Sequence, residues 1–324
     1  MASMAFWQAL IIGALQGFSE LFPVSSLAHT ILIPYLLNWG IDQRGTNFLA
    51  FVVALHLATA IALVIYFWRD WRDVIMAFVG SFKGRQLVYD RNSKFAWLLV
   101  AGTVVVGIIG LLFEKQISKF FEDPALIWVV ALFLVINGGL MLYGEYYRRR
   151  VEQGTAQPRQ KVAAGQRRGD RNPGVYSYPT FQSSQMAEKN QAGFKNTEEL
   201  SFVEGALVGA AQTLALIPGI SRSGVTILAG LIAGLSHEEA ARFAFMLATP
   251  VIGLAALLKV PELLKPEARD ILGMTIAAAI LAGITAYLSI RFLMKYFETK
   301  NLRPFGFYCI YVGILVLIIV QIRK

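Results

Sequence analysis

The chain has 324 residues, a mean hydropathy of +0.54 and a formal net charge of +9. Its apolar residues occur in long runs rather than at amphipathic spacing, which predicts an integral membrane protein built of helices. The basic residues cluster beside these runs, as the positive-inside bias places them, so no nucleic-acid partner is expected. The single cysteine, Cys309, excludes a disulfide framework and a cysteine-based metal site.

The first half of the membrane part, residues 1–150, opens with an apolar stretch at 4–37 that is interrupted by Pro23 and the serines after it. A helix needs about 20 residues to cross a bilayer, so two shorter pieces joined by a turn predict a re-entrant helical hairpin. Three full transmembrane helices are expected after it, near 48–67, 95–113 and 125–144.

A polar segment at 151–196, rich in Gln, Gly, Arg, Ser and Asn, follows the first half and predicts a disordered cytoplasmic insertion. The second half, residues 197–324, repeats the order of the first. Its apolar stretch at 202–235 is interrupted by the motif PGISRSGVT at 218–226, which again predicts a re-entrant hairpin. Three more transmembrane helices are expected, near 240–258, 271–290 and 305–322.

The two halves also resemble each other at the level of residues. FWQALIIGALQ at 6–16 aligns with FVEGALVGAAQ at 202–212, an offset of 196 residues. Each half contains an odd number of full spans, so the second copy must lie upside down relative to the first. The sequence therefore predicts an all-α integral membrane fold with an inverted-topology repeat, in which the two turns face each other. The basic loops at 68–94 and 148–200 are expected in the cytoplasm.

The interruption at 218–226 contains the residue types that bind an oxyanion. Gly219 allows a close approach of the backbone, and the N–H groups at the start of the next helix point into the turn. Arg222 adds a guanidinium group suited to phosphate oxygens. The alternative interpretation of this stretch is a Gly/Ser hinge whose arginine extends to the membrane interface. The candidate phosphate-binding residues are Ser25 from the first turn and Gly219, Ser221, Arg222, Ser223 and Thr226 from the second.

The first hairpin carries groups that act on a bound phosphate. Gln16 and Glu20 share one helical face, and both offer oxygen ligands that suit Mg²⁺ or Ca²⁺ better than Zn²⁺. Ser26 or His29 is a candidate nucleophile assisted by the other group, and attack by a water that Glu20 or His29 activates is the alternative. Ser26 also suits a purely structural role as a helix N-cap. The candidate catalytic residues are thus Glu20, Ser26, His29 and Arg222, and the candidate metal ligands are Gln16 and Glu20.

The two remaining histidines are interpreted as structural. His56 lies within a full span, where we expect a hydrogen bond to a neighbouring helix. His237 lies between Ser236 and Glu239. These two residues are expected to form a capping box at the start of the span near 240–258.

The pattern Gln16-x-x-x-Glu20 with PVSSLAH at 23–29, together with PGISRSGVT, resembles the undecaprenyl-diphosphatase family, the bacterial polyprenyl-diphosphate phosphatases also known for bacitracin resistance. The resemblance implies a membrane enzyme that removes the terminal phosphate of undecaprenyl diphosphate and returns the carrier lipid to peptidoglycan synthesis. It implies a multi-pass protein of the bacterial inner membrane whose active site opens to the outer face. Membrane lipid is the other expected partner, and a homodimer is a candidate assembly. The matching positions are Glu20, Ser26, His29, Ser221, Arg222, Ser223 and Thr226, with Gln16 as an accepted variant.

The main alternative is a polyprenyl-phosphate transporter or flippase, because inverted repeats and broken helices are typical of secondary transporters. The combination of Glu20, Ser26 and His29 with a Ser-Arg-Ser sequence favours phosphate transfer instead. A second class of lipid phosphatases has a histidine six residues after its arginine, whereas Leu228 stands at that position here.

Overall fold

The computed structural model describes residues 4–41, 46–84, 86–121, 127–155, 194–263 and 269–323. Within these ranges the regular structure is helical and contains no β-strand. The α-helices in chain order are α1 (Phe6–Leu21), α2 (Ser26–Leu36), α3 (Thr46–Tyr66), α4 (Trp68–Ser81), α5 (Arg91–Phe121), α6 (Ile127–Thr155), α7 (Phe202–Ala211), α8 (Arg222–Ile232), α9 (His237–Leu263), α10 (Arg269–Phe297) and α11 (Arg303–Ile322). Short 3₁₀-helices occupy Thr197–Glu199 and Gln212–Leu216.

Six helices of the described chain contain a segment long and apolar enough to cross a membrane. These segments are Phe48–Tyr66, Arg91–Leu112, Ile127–Arg150, His237–Ala256, Asp270–Phe297 and Arg303–Ile322. They confirm the all-helical, multi-pass membrane class that the apolar runs predict. Helix α6 continues to Thr155, into the start of the predicted insertion, and residues 156–193 of that insertion lie outside the described residues.

Each interrupted apolar stretch forms a pair of short helices. The first pair is α1 and α2, and the second is α7, with the 3₁₀-helix that continues it, and α8. Helix α1 packs closely along α10, where Gly17 lies against the backbone of Ala282. Helix α7 packs in the same way along α5, where Gly209 lies against Gly102. Small residues at these contacts let the helix axes approach, as is common between membrane helices.

Helix α6 packs against the turn that precedes α8. It packs against α11 with Gly138 opposite Gly306. Gly219, in the turn before α8, has a φ of +111°, and a Cβ there would lie 2.6 Å from the carbonyl oxygen of Val130 and 2.6 Å from Cβ of Phe133. The turn therefore needs glycine both for its backbone conformation and for the space between it and α6.

Candidate active site

The turn between α1 and α2 presents Ser26 to Glu20. Ser25 is the N-cap of α2, and its hydroxyl oxygen accepts a hydrogen bond from the N–H of Ala28 at 3.4 Å. Ser25 has a φ of +67°, a conformation that costs a residue other than glycine about 1–3 kcal/mol. Ser26 is therefore the first helical residue, and its hydroxyl donates to Oε2 of Glu20 at 2.5 Å. The N-cap role considered for Ser26 is wrong, because Ser25 fills it.

The carboxylate of Glu20 is the centre of the site. The residue is only 8% exposed, and its Oε2 atom also accepts from Nε2 of Gln16 at 2.9 Å. Its Oε1 atom accepts from the guanidinium group of Arg222, which the second hairpin contributes. A buried carboxylate needs such partners because an unpaired charge is very costly to desolvate. This ion pair brings the two interrupted stretches into contact.

His56 reaches the same carboxylate from α3. Its Nε2 atom lies 3.4 Å from Oε2 of Glu20, and its Nδ1 atom donates to the carbonyl oxygen of Val52 at 2.8 Å. The structural interpretation of His56 was therefore incomplete, since the side chain also belongs to the site. The signal that could have found it is general: ionisable residues inside membrane spans are rare and mostly functional.

His29 makes a separate set of contacts. Its Nδ1 atom lies 2.8 Å from the carbonyl oxygen of Ser25, and because a carbonyl only accepts, Nδ1 is the donor. Its Nε2 atom lies 2.8 Å from the hydroxyl group of Tyr308 in α11, a residue that no motif indicated. In the part of the chain that the structure describes, no hydrogen bond joins His29 to Ser26 or Glu20. His29 thus lies at the same turn but does not contact the Ser26 hydroxyl as a base would.

The second turn is ordered by its own hydroxyl groups. Ser221 is the N-cap of α8, and its hydroxyl group lies 3.1 Å from that of Ser223. Ser223 also donates to the carbonyl oxygen of Phe22 in the first turn at 3.1 Å. Thr226 donates to the carbonyl oxygen of Arg222 at 2.6 Å. These residues lie together at the start of α8, and two of them, Arg222 and Ser223, contact the first hairpin.

Two side chains of the site, Gln16 and Glu20, offer oxygen atoms that suit a hard divalent cation. Oε1 of Gln16 is buried and has no hydrogen-bond partner among the described residues, although Nε2 of the same side chain donates to Glu20. An unpartnered carbonyl oxygen beside a carboxylate matches the ligands that Mg²⁺ and Ca²⁺ prefer. No group of three or more His, Cys, Asp or Glu side chains suited to a metal ion occurs in the described ranges. Further ligands would have to come from substrate or water.

The fold and these contacts define a class of protein: a multi-pass helical membrane protein whose buried polar site lies where two interrupted apolar stretches meet. Comparison with known proteins identifies the family within that class. The family model described as bacitracin resistance protein BacA matches residues 9–315. An undecaprenyl-diphosphatase 2 of Frankia alni is 42% identical over 97% of this chain and 98% of its own length. The undecaprenyl-diphosphatase of Mycolicibacterium paratuberculosis is 40% identical over 96% of each chain. The chain belongs to the BacA family.

Proposed function

We propose that this protein hydrolyses undecaprenyl diphosphate to undecaprenyl phosphate and inorganic phosphate, and so returns the carrier lipid to peptidoglycan synthesis. Relatives at 42% and 40% identity carry the name of this diphosphatase and align over nearly the whole chain. The structural observation that carries the proposal is the contact of Glu20 with both the Ser26 hydroxyl and the Arg222 guanidinium group. A hydroxyl group, a base that can take up its proton and a cation that binds phosphate together suit phosphate transfer.

In the proposed mechanism Glu20 accepts the proton of Ser26 while Ser26 Oγ attacks the terminal phosphorus. A bond from Oγ to phosphorus forms as the bond from phosphorus to the bridging oxygen breaks, and undecaprenyl phosphate leaves with that electron pair and the proton. Glu20 then deprotonates a water that attacks the phosphoserine, the bond from phosphorus to Oγ breaks, and Ser26 regains the proton. Direct attack by a water that Glu20 activates is the alternative, and it does not need the Ser26 hydroxyl.

Arg222 is proposed to bind the phosphates together with the backbone N–H groups that begin α8. A guanidinium group has five N–H donors, so its contact with Glu20 leaves donors for phosphate oxygens. The start of a helix also favours an anion. Donors that are already in position stabilise the charge that develops on the phosphoryl group, and so lower the barrier.

A divalent cation, Mg²⁺ or Ca²⁺, is proposed as the cofactor. Gln16 Oε1 and the Glu20 carboxylate are the protein oxygens that would hold it. Such an ion supplies charge neutralisation of the phosphate oxygens. Gln16→Glu adds a second carboxylate and should therefore lower the Mg²⁺ concentration that gives half-maximal activity by about tenfold, whereas Gln16→Ala should raise it.

The inverted-topology repeat is proposed from the ends at which the two hairpins open. Arg323, at the end of α11, donates to the carbonyl oxygen of Leu36 at the end of α2, at 2.9 Å. The second hairpin instead places Leu228 of α8 beside Gly144 of α6. Gly138 of α6 lies against Gly306 of α11, and Ala131 lies against Gly313, so the two helices run antiparallel. Gly144 therefore lies toward the start of α11, and the two hairpins enter the helix bundle from opposite ends, as inverted repeats require. An inner-membrane location, a site open to the outer face and a homodimer stay predictions; mass photometry in lipid nanodiscs tests the dimer.

The proposed function is tested by release of inorganic phosphate from a polyprenyl diphosphate by the purified protein, with and without Mg²⁺ or Ca²⁺. Glu20→Gln and Arg222→Ala should each abolish most of the activity. Asp70→Asn is the matched control, because it breaks a partly buried ion pair with Arg242, 2.5 Å long, outside the site. If the folded, unmodified protein released no phosphate, the proposed phosphatase function would be refuted. A fluorescent polyprenyl phosphate that crosses proteoliposome membranes in the same preparation would then favour the flippase.

A further inference from the structure

Asn137 contacts the turns of both hairpins from a third element. It lies in α6, outside both sequence motifs, and is completely buried at 0% exposure. Its Oδ1 atom accepts from the backbone N–H of Ser221 at 3.0 Å. Its Nδ2 atom donates to the carbonyl oxygen of Pro23 at 3.2 Å and lies 3.5 Å from Sγ of Cys309 in α11. One side chain therefore bridges backbone groups that are 198 residues apart, from position 23 to position 221.

An amide suits this position because it donates and accepts through one rigid group. The two backbone groups that it pairs belong to irregular turns, where no helical partner is available. At membrane depth an unpaired peptide group costs several kcal/mol, so a side chain has to satisfy both. Since the same planar amide serves both turns, the position of one turn is tied to the position of the other.

Helix α6, which carries Asn137, packs against both α11 and the second turn. One residue further on, Gly138 lies against Gly306 of α11, and nearer the start of α6 the turn residue Gly219 packs against Val130. Asn137 thus extends from a helix that already contacts the second turn. A separate bond from Ser223 to the carbonyl oxygen of Phe22 joins the two turns next to the same place.

The residues held by Asn137 stand beside the reacting groups. Pro23 lies three residues from both Glu20 and Ser26 along the chain, and Ser221 directly precedes Arg222. We propose that Asn137 is a positioning residue that fixes the first turn against the second, and so sets how Glu20 and Ser26 face Arg222. This inference rests on the proposed phosphatase function. Misplacement of reacting groups by about 1 Å can lower a rate about 100-fold, so this bridge should appear in kcat.

The first test compares Asn137→Ala with the unmodified protein in the phosphate-release assay. The expected result is a fall in kcat of about 100-fold with KM changed by less than about threefold, because lipid binding is retained while the geometry is lost. Cys309→Ala is the matched control: it removes a buried sulfur that contacts Asn137 and lies 3.8 Å from the carbonyl oxygen of Pro23, but it leaves both bonds from Asn137 to the turns in place, so kcat should stay within about threefold. An Asn137→Ala variant as active as the control would overturn the inference.

A second measurement does not depend on activity. Hydrogen–deuterium exchange of Asn137→Ala should be faster than in the unmodified protein in the peptides that cover residues 20–26 and 218–224, and unchanged elsewhere. Faster exchange spread over all helices, or confined to one turn, would contradict the positioning role. If the unmodified protein releases no phosphate, the proposed function fails, and the exchange pattern still decides whether Asn137 joins the two turns.

Discussion

The contact between Glu20 and Arg222 can be tested by a double-mutant cycle with Glu20→Gln and Arg222→Met. The Glu20 and Arg222 side chains are 6% and 17% exposed, so each single variant leaves the opposite charge largely buried without its partner. Breaking a buried pair in this way costs about 3–5 kcal/mol. The double variant removes both charges, so its loss should be at least about 2 kcal/mol smaller than the sum of the two single losses.

The assay is unfolding in mixed detergent micelles, followed by tryptophan fluorescence. The pair formed by Arg72 and Asp73 serves as a control, since its side chains are 53% and 28% exposed and its coupling should not exceed about 0.5 kcal/mol. Single losses at the Glu20–Arg222 pair that simply add in the double variant would refute the reasoning, because two groups that do not touch do not couple. The two hairpin turns would then not meet through this ion pair.

Three further results are expected. Ser26→Ala should lower phosphate release at least about 100-fold and His29→Gln only about tenfold, because Ser26 alone of the two donates to Glu20; the reverse order in steady-state rates would assign the nucleophile to His29. Gly219→Ala should lower the unfolding temperature, since its Cβ would lie 2.6 Å from α6 atoms, whereas Gly253→Ala, with no atom within 4 Å, should not; equal shifts in differential scanning fluorimetry would contradict this. Burial raises the pKa of Glu198 above its ordinary 4.5. The folded state therefore loses stability relative to the unfolded state as pH rises from 4.5 through the raised pKa. Glu198→Gln should therefore be more stable than the unmodified protein at neutral pH but not below pH 4.5, and a pH-independent difference in unfolding midpoint would be inconsistent with it.

Much of the fold could be predicted from local sequence. The length of an apolar run determines whether a helix can cross a bilayer, and this property needs no knowledge of neighbouring segments. For the same reason the interruptions at 23–26 and 218–226 were visible as short polar breaks, and both coincide with turns between short helices. The residue types in and beside these breaks also indicated the chemistry. A charged side chain such as Glu20 or Arg222 is costly to place within a membrane, so its presence there indicates a function.

The partners of those residues were decided by tertiary structure alone. Ser25 rather than Ser26 caps α2 because the backbone adopts a φ of +67° at that turn, and this leaves the Ser26 hydroxyl to contact Glu20. His56 and Asn137 join the site because α3 and α6 turn those faces toward the two hairpins. A helix can present any face without changing its local sequence pattern, so only the packing of α3 and α6 against distant segments determines which polar side chain meets the carboxylate and the turns.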